Sequence, residues 1–253
     1  MTGRAVVLAG GVNRRPLYPG YRPGCKALVE IAGRSLLSYV LTALAPMKEV
    51  GIVGDAALLH DLAPGHRFAP PGEDVLDSLR AALDMYPEEA YILLVTADLP
   101  MLRPEMLEQF LSLCAARPGG DVYLALVPEE RLRPPFDRIL KNLNRFADGA
   151  VCHGNLALVR PDILRNEDAM RRVNAVYRER QNPIRSALAL GLGLGASYVF
   201  GVHLFHRLRL DTFAEMLSRR FAMRMVPVIT AYPEVAVDVD EEADYAIACE
   251  VLG

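Results

Sequence analysis

The sequence predicts an α/β fold with a mostly parallel central sheet and helices on both faces. Three observations support this: short apolar runs typical of strands buried on both faces, amphipathic helical segments alternating with them, and glycine or aspartate directly after two of those runs. The chain has 253 residues, of which 52% are hydrophobic and 23% charged, an ordinary globular composition. We expect one domain over residues 1–253, with a mainly helical insert at about 166–221.

The first predicted elements are a strand, a glycine turn, a helix and a second strand. Residues 4–9 (RAVVLA) form the first apolar run and end at Gly10-Gly11. Residues 35–45 begin with a serine and are followed by a proline, which predicts a helix. Residues 49–54 (EVGIVG) predict the next strand.

The next elements repeat this alternation. Residues 74–85 carry apolar side chains at helical spacing, residues 91–96 (YILLVT) predict a buried strand, and residues 104–116 predict a helix with proline in its first turn. Ligands of parallel sheets bind beyond the carboxyl ends of the strands, so we expect the Gly10-Gly11 turn and Asp98 to lie at a common ligand-binding edge.

The second half of the chain has a less regular pattern. We expect strands at 121–127 and 155–159, and then the helical region at 166–221. Short strands at 225–229 and 235–239 and a closing helix at 241–252 complete the predicted fold.

Charge and cysteine content exclude several classes of protein. The formal net charge is −3, which argues against a dedicated nucleic-acid binder. The four cysteines show no paired spacing typical of zinc or redox sites, and the first apolar run is too short for a signal peptide. We therefore expect reduced thiols and a cytoplasmic location.

The segment 186–206 contains no Asp, Glu, Lys or Arg and is long enough to cross a bilayer. Its four glycines weaken an isolated helix, so we favour a packed helical element over a membrane span. Contact with a membrane surface and a homodimer interface remain two open alternatives. His203 and His206 are interpreted as surface or packing histidines rather than metal ligands.

The glycine turn is the first candidate site. Leu8-Ala9-Gly10-Gly11 is followed by Arg15 and Lys26, and there is neither a Walker A loop nor a G-x-G-x-x-G pattern. Glycines after a buried strand let backbone N–H groups approach a ligand, while arginine and lysine can hold phosphate oxygens. The loop predicts nucleoside triphosphate binding, with an ordinary surface turn as the alternative.

Asp98 is the second candidate site, within Thr96-Ala97-Asp98-Leu99-Pro100. A carboxylate at the end of a buried strand is costly unless it binds a partner, and Mg²⁺ prefers such oxygen ligands. An N-cap role for the helix near residue 104 is less favoured because Asp98 lies several residues too early.

Together these segments resemble the molybdenum-cofactor guanylyltransferase-like nucleotidyltransferases, which are related to the sugar-phosphate and methylerythritol-phosphate nucleotidyltransferases. The resemblance implies a Rossmann-like GT-A fold in which Arg15, Lys26 and Asp98 are catalytic. Asp238-Val239-Asp240-Glu241-Glu242-Ala243-Asp244-Tyr245 is similar to a late family segment that supplies a second metal ligand. On a strand, Asp238 and Asp240 would share one face with access to Asp98, so the implied metal ligands are Asp98, Asp238 and Asp240. For Asp240, capping of the closing helix is the alternative.

The resemblance also implies nucleotide and acceptor contacts. The nucleotide-binding residues would be Leu8, Ala9, Gly10, Gly11, Gly72 and Ser78, and the acceptor-binding residues Gly154 and Asn155. For the last four, turn and cap chemistry is an equal alternative. Asn13 stands where the family commonly has Ser or Thr, and residues 16–23 lengthen the loop, so guanine specificity does not carry over.

The predicted reaction is Mg²⁺-dependent transfer of an NMP from an NTP to a phosphorylated small-molecule acceptor, with release of pyrophosphate. Two alternatives remain open. One is a GT-A glycosyltransferase that uses a nucleotide-sugar. The other is a non-catalytic nucleotide-binding or membrane-docking module.

Overall fold

The structure, a computed structural model, describes residues 3–138, 143–178, 194–195 and 207–253. Its strands and α-helices alternate through the first half of the chain, as predicted. The strands are β1 (Arg4–Leu8), β2 (Val12–Asn13), β3 (Gly24–Cys25), β4 (Glu30–Ile31), β5 (Arg34–Ser35), β6 (Glu49–Val53), β7 (Arg67–Ala69), β8 (Ile92–Thr96), β9 (Val122–Pro128), β10 (Asn144–Phe146), β11 (Gly149–Val159) and β12 (Met225–Ile229). The α-helices are α1 (Leu36–Ala43), α2 (Ala56–Leu59), α3 (Val75–Asp84), α4 (Pro104–Ala115), α5 (Glu167–Arg178), α6 (Leu210–Phe221) and α7 (Glu242–Leu252).

The central sheet has the strand order β12-β9-β11-β8-β1-β6-β7, and β10 pairs with β11 outside this path. Strand β1 is parallel to β6 and β8, β6 to β7, and β9 to β12. Strand β11 runs antiparallel to β8, β9 and β10. The predicted mostly parallel sheet is therefore confirmed, with β11 as its reversed strand.

Helices cover both faces of this sheet, as the sequence predicts. Alternate residues of β1 point to opposite faces. Val7 packs in a buried cluster with residues of α1 and α4, such as Val40 and Phe110. Val6 belongs to a second cluster that includes Leu83 of α3. The two clusters lie on the two sides of one sheet.

Backbone bonds hold the end of β1 between its two neighbours. The amide of Ala9 donates to Val53 O over 2.8 Å, and the amide of Ala97 donates to Leu8 O over 3.1 Å. The glycine turn after β1 and Asp98 after β8 therefore lie at the same edge of the sheet.

Side-chain caps begin both α1 and α3, and the cap of α1 agrees with the serine signal in the sequence. Ser35 caps α1 by accepting from Ser38 N, and Asp74 caps α3 by accepting from Leu76 N and Asp77 N. The N-cap of α4 is Arg103, with no side-chain cap bond, so Asp98 does not cap that helix. The N-cap of α7 is Glu241, so the alternative cap role of Asp240 is wrong.

The strand predicted at 235–239 is wrong. A 3₁₀ helix spans Pro233–Ala236, and irregular backbone follows. Val235, Ala236 and Val237 are all fully buried, so the segment lacks the alternation of a half-buried strand. It crosses the end of the sheet instead of joining it, and Val239 N donates to Asp98 O over 3.1 Å. Strand β11 also begins earlier than predicted, at Gly149.

Of the apolar segment 186–206, only Leu194 and Gly195 lie among the described residues, and His203 and His206 lie outside them. Leu194 is buried in the cluster that contains Leu83. In the part of the chain that the structure describes, no helix is both long and apolar enough to span a bilayer.

The four cysteines are free thiols, and burial raises the pKa of the Cys114 thiol to about 12.

Candidate active site

The glycine turn after β1 exposes backbone donors at the edge of the sheet. The amides of Gly10 and Gly11 donate to no acceptor within the described ranges. A Cβ on Gly10 would lie 2.5 Å from Cβ of Pro71, so only glycine fits under the neighbouring segment. Leu8 and Ala9 lie in the sheet below the turn, where the Ala9 amide is already bonded to Val53. Of these four predicted nucleotide-binding residues, the two glycines offer the N–H groups.

A short hairpin returns the chain from this turn to Lys26. Val12 pairs with Cys25 and Asn13 with Gly24, and the Lys26 amide donates to Gly11 O over 2.9 Å. The lengthened loop between the strands is anchored by Leu17, which is 1% exposed. The hairpin thus fixes the start of the Lys26 side chain beside the glycine turn.

Three carboxylates meet at the same edge. Oxygen atoms of Asp98, Asp238 and Asp240 lie within 4.8 Å of one another. Asp98 is 8% exposed, whereas the Asp240 side chain is 55% exposed. The bond from Val239 N to Asp98 O joins the two segments that carry these side chains. This acidic cluster comprises the three residues that the family resemblance implies as metal ligands.

Lys26 reaches into the acidic cluster. Its Nζ donates to Asp98 Oδ2 and Asp240 Oδ1, and its side chain is 14% exposed. Burial alone would lower the pKa of Lys26, but the charge of Asp98 and the hydrogen bonds to Asp240 and Asp98 raise it above its usual value. Burial raises the pKa of Asp240, the hydrogen bond from Lys26 lowers it, and the neighbouring charge of Asp238 raises it again, with a net increase. The carboxylates therefore favour the charged form of Lys26 and hold its ammonium group.

The acidic cluster fits a divalent cation. The buried Asp98 Oδ1 has no hydrogen-bond partner among the residues that the structure describes. Oxygen atoms of three carboxylates converge at this point, and the Lys26 ammonium group contacts two of these carboxylates. Mg²⁺ prefers such oxygen ligands, and a buried carboxylate oxygen without a partner is costly. These donors suit Mg²⁺.

Arg15 lies on the outer side of the glycine loop. Its Nη1 is 2.9 Å from Glu241 Oε2, and its side chain is 70% exposed. Arg14 is also exposed and makes no hydrogen bond or ion pair within the described ranges. The two neighbouring arginines therefore differ, because only Arg15 contacts the segment that carries the acidic cluster.

The predicted base-contact residues lie together beside the glycine turn. The Gly72 amide donates to Ser78 Oγ over 3.0 Å, and a Cβ on Gly72 would lie 2.1 Å from Cβ of Asp77. Pro71, the residue before Gly72, is the one that packs against Gly10. Gly72 and Ser78 therefore form a hydrogen-bonded turn next to the glycine turn.

The predicted acceptor-binding residues lie at the end of β8. Leu156 pairs with Val95, so Gly154 and Asn155 are adjacent to the strand end that carries Asp98. A bulge interrupts the pairing of β11 with β9 between His153 and Ala157. The structure therefore gathers the loop, the acidic cluster and the acceptor candidates at one edge of the sheet.

Two site residues were not predicted from the sequence. Asn13 is 5% exposed and links the glycine loop to the acidic segment through Asp240 O, at a separation of 227 residues in sequence. No local pattern indicates such a distant bond. Asp244 accepts from the amides of Asp240 and Glu241. The spacing of Glu241 and Asp244 before the last helix is similar to a capping box and could have revealed this role.

A mostly parallel sheet with a glycine turn and carboxylates at the carboxyl ends of its strands defines the α/β enzymes that bind phosphorylated ligands at that edge. The chain belongs to the family of the MobA-like NTP transferase domain, whose model matches residues 5–197. It is a nucleotidyltransferase. This family favours NTP transfer over the glycosyltransferase and non-catalytic alternatives.

Solved structures share the fold over nearly the whole chain. A hypothetical transferase from Thermus thermophilus is 29% identical with a TM-score of 0.80, and the match covers 97% of this chain and 100% of that one. The CMP:2-keto-3-deoxy-manno-octonic acid synthetase complexed with CTP is 16% identical with a TM-score of 0.59, covering 100% and 98% of the two chains. The 2-C-methyl-D-erythritol 4-phosphate cytidylyltransferase from Thermus thermophilus is 13% identical with a TM-score of 0.57, covering 99% and 98%. The comparison with curated proteins gives no match.

Proposed function

We propose that the protein transfers a nucleotidyl group from an NTP to a phosphorylated small-molecule acceptor in a Mg²⁺-dependent reaction. The observation that carries this proposal is the acidic cluster of Asp98, Asp238 and Asp240, which lies beside the glycine turn and is bridged to it by Lys26. Family membership supports NTP transfer in general. Beyond family membership, we propose a phosphorylated acceptor and Mg²⁺ as the cation.

The glycine turn binds the triphosphate in this proposal. Gly10 and Gly11 are exposed residues whose N–H groups have no protein acceptor among the described residues, so these groups can donate to phosphate oxygens. Arg15 follows in the same loop, where its exposed guanidinium pairs with Glu241 and suits phosphate. Gly72 and Ser78 lie next to the turn through Pro71, where the base would bind.

Asp98, Asp238 and Asp240 hold Mg²⁺ in this proposal. When bound, Mg²⁺ supplies positive charge to the triphosphate oxygens as pyrophosphate leaves. Lys26 Nζ lies between Asp98 and Asp240, so it must leave one or both carboxylates when they bind a cation. Its flexible side chain then places the ammonium group near the phosphates bound at Gly11.

The transfer step is an in-line displacement. An acceptor phosphate oxygen forms a bond to the α-phosphorus, and the bond from that phosphorus to the bridging oxygen of the β-phosphate breaks. Pyrophosphate takes the electron pair. The acceptor oxygen is already an anion, so the protein needs no general base. Gly154 and Asn155 flank the strand end of Asp98, where the acceptor would lie.

A pyrophosphate-release screen tests this proposal. The four NTPs are each incubated with Mg²⁺ and with phosphorylated sugars, polyols or cofactor precursors. CTP is tried first because the synthetase of similar fold was solved with CTP. We expect pyrophosphate only when one NTP, an acceptor and Mg²⁺ are all present.

The same screen contains the contradicting outcomes. If turnover is unchanged after chelation of divalent cations, the proposed role of the acidic cluster in binding Mg²⁺ is wrong. Transfer only to acceptors without a phosphate group would correct the acceptor class while leaving nucleotidyl transfer in place.

A further inference from the structure

Asn13 is a buried polar residue that joins the glycine loop to the acidic segment. Its side chain lies in β2, directly after the glycine turn, and is 5% exposed. Oδ1 accepts from the Arg15 amide over 2.9 Å, and Nδ2 donates to Asp240 O over 3.3 Å. Both ends of one amide group are therefore in use, one within the loop and one across the site.

Asp240 is held from three directions. Its amide donates to Asp244 Oδ2 over 3.0 Å, its carbonyl accepts from Asn13, and its carboxylate accepts from Lys26. The Lys26 contact is an ion pair with the acidic cluster itself and changes when a cation binds there. Asp244 holds Asp240 from the helix that follows it, and Asn13 holds it from the glycine loop.

We propose that Asn13 is a positioning residue that keeps Asp240 in the acidic cluster and so sets the affinity of that cluster for a divalent cation. This inference rests on the proposed function, because it assigns a consequence to a cation that the acidic cluster binds. Asn13 contacts no carboxylate oxygen of the cluster in its two bonds. It acts through the backbone of Asp240.

The position of the bond explains why the effect falls on Asp240 in particular. Asp98 is 8% exposed and Asp238 is half-buried, whereas Asp240 is exposed, with a side chain that is 55% exposed. Asp240 is therefore the ligand with the weakest support from packing, and its place depends on hydrogen bonds. Residues that orient ligands from behind change metal affinity by about 10- to 100-fold when they are removed.

Hydrogen exchange of the metal-free protein tests the positioning itself. We expect Asn13→Ala to speed amide exchange in residues 238–242 relative to the wild type. Asn13→Asp is the second variant, because it keeps the acceptor for the Arg15 amide and removes the donor to Asp240; we expect the same local change. Asn166→Ala is the matched control: it removes an asparagine that accepts from Ala169 N over 3.0 Å at the start of α5. Unchanged exchange at 238–242 in both Asn13 variants would overturn the inference.

Cation binding tests the consequence. Mn²⁺ is titrated by electron paramagnetic resonance without nucleotide, and we expect about tenfold weaker binding by Asn13→Ala and wild-type binding by Asn166→Ala. In turnover, Asn13→Ala should require more Mg²⁺ and regain most of the wild-type kcat at saturation. Faster local exchange with unchanged Mn²⁺ affinity would mean that Asn13 only stabilises the fold, and would overturn the inference.

The inference and the proposed function fail in different ways. If the wild type binds Mn²⁺ and releases pyrophosphate while Asn13→Ala behaves identically, only the role of Asn13 is wrong. If the wild type neither binds Mn²⁺ nor depends on divalent cations, the proposed function is wrong, and the cation-affinity role of Asn13 falls with it.

Discussion

The ammonium group of Lys26 contacts two carboxylates that the proposed function assigns to a metal ion. Its backbone is fixed at the glycine turn, and its Nζ binds Asp98 and Asp240. A divalent cation at the same oxygens would compete with this ammonium group, since both are attracted by the same charges. Under the proposed function, Lys26 therefore neutralises the carboxylates when no metal is bound and contacts the phosphates when a metal is bound.

Lys26→Ala should therefore change two properties in opposite directions. Mn²⁺ binding without nucleotide should become tighter, because the competing ammonium group is gone. Pyrophosphate release should become slower by about tenfold or more, because a charged hydrogen bond to the phosphates is worth about 1.5–3 kcal/mol. Lys48→Ala, an exposed lysine directly before β6, is the control. Weaker Mn²⁺ binding by Lys26→Ala would contradict the competition.

Arg15 and Arg14 offer a test within two adjacent residues. Arg15 contacts Glu241, whereas Arg14 is exposed and has no hydrogen bond or ion pair in the described residues. We expect Arg15→Ala to weaken NTP binding and slow pyrophosphate release by about tenfold, and Arg14→Ala to change either by little. Steady-state kinetics and calorimetric NTP titration measure both. Equal losses would place the loop one residue out of register.

The residues of the site were predictable to different degrees. Asp98 follows a buried strand and Lys26 follows a glycine loop, so local sequence indicated both as candidates. In the sequence, Asn13 stands out only as a departure from the family pattern, because its partner Asp240 is 227 residues away. A bond of this kind depends on how the ends of the chain meet, which no local pattern records.

At the scale of elements, the β2–β3 hairpin is the unit that joins the glycine turn to Lys26. Cys25 lies in this hairpin, is partly exposed, and its Sγ donates to Ala9 O over 3.8 Å. A triphosphate bound at Gly11 would cover the hairpin. Under the proposed function, the reactivity of this thiol should therefore report on occupancy of the loop.

We expect Mg²⁺-NTP to slow alkylation of Cys25, read by mass spectrometry of the digested protein. Cys249 is also partly exposed but lies in α7, so its rate should not change and it is the internal control. Cys114 and Cys152 are buried, and burial raises the pKa of Cys114 to about 12, so both should react only after unfolding. An equal change at Cys25 and Cys249 would indicate a global effect of the nucleotide.

Element prediction succeeded where the sequence carried clear local signals. The apolar spacing predicted α3, and the serine at the start and the proline after the end predicted α1. At 235–239, the sequence predicts a strand, but Val235, Ala236 and Val237 are all buried in a segment that only crosses the sheet end. Burial and strand pairing are separate properties, and an apolar run reports only the first.

At the scale of the whole molecule, one continuous sheet separates two buried clusters. Phe110 and Leu83 lie in the clusters on opposite faces, and both are 0% exposed. If the chain is a single domain, as the sequence predicts, the clusters on the two faces should unfold in one cooperative transition.

We expect a single urea transition by far-UV circular dichroism and by tyrosine fluorescence. Leu83→Ala should lower the free energy of unfolding by about 2–5 kcal/mol and Phe110→Ala by about 3–5 kcal/mol. The two losses should add, because the side chains do not share a cluster. Two separate transitions, or a variant that shifts only one of two probes, would show that the chain contains independent folding units.

The most direct test of the central claim is the Mg²⁺ dependence of pyrophosphate release by the wild type and by Asp98→Asn. This substitution removes one buried charge of the acidic cluster and nearly preserves the shape of the side chain. Asp61→Asn, at a fully exposed aspartate, is the matched control. With the NTP and acceptor that the screen identifies, we predict wild-type turnover by Asp61→Asn and a folded Asp98→Asn with less than a tenth of that rate at saturating Mg²⁺, a loss of more than about 1.4 kcal/mol in transition-state stabilisation. A folded Asp98→Asn that keeps more than about a tenth of the wild-type rate would contradict the assignment of this edge of the sheet as the active site.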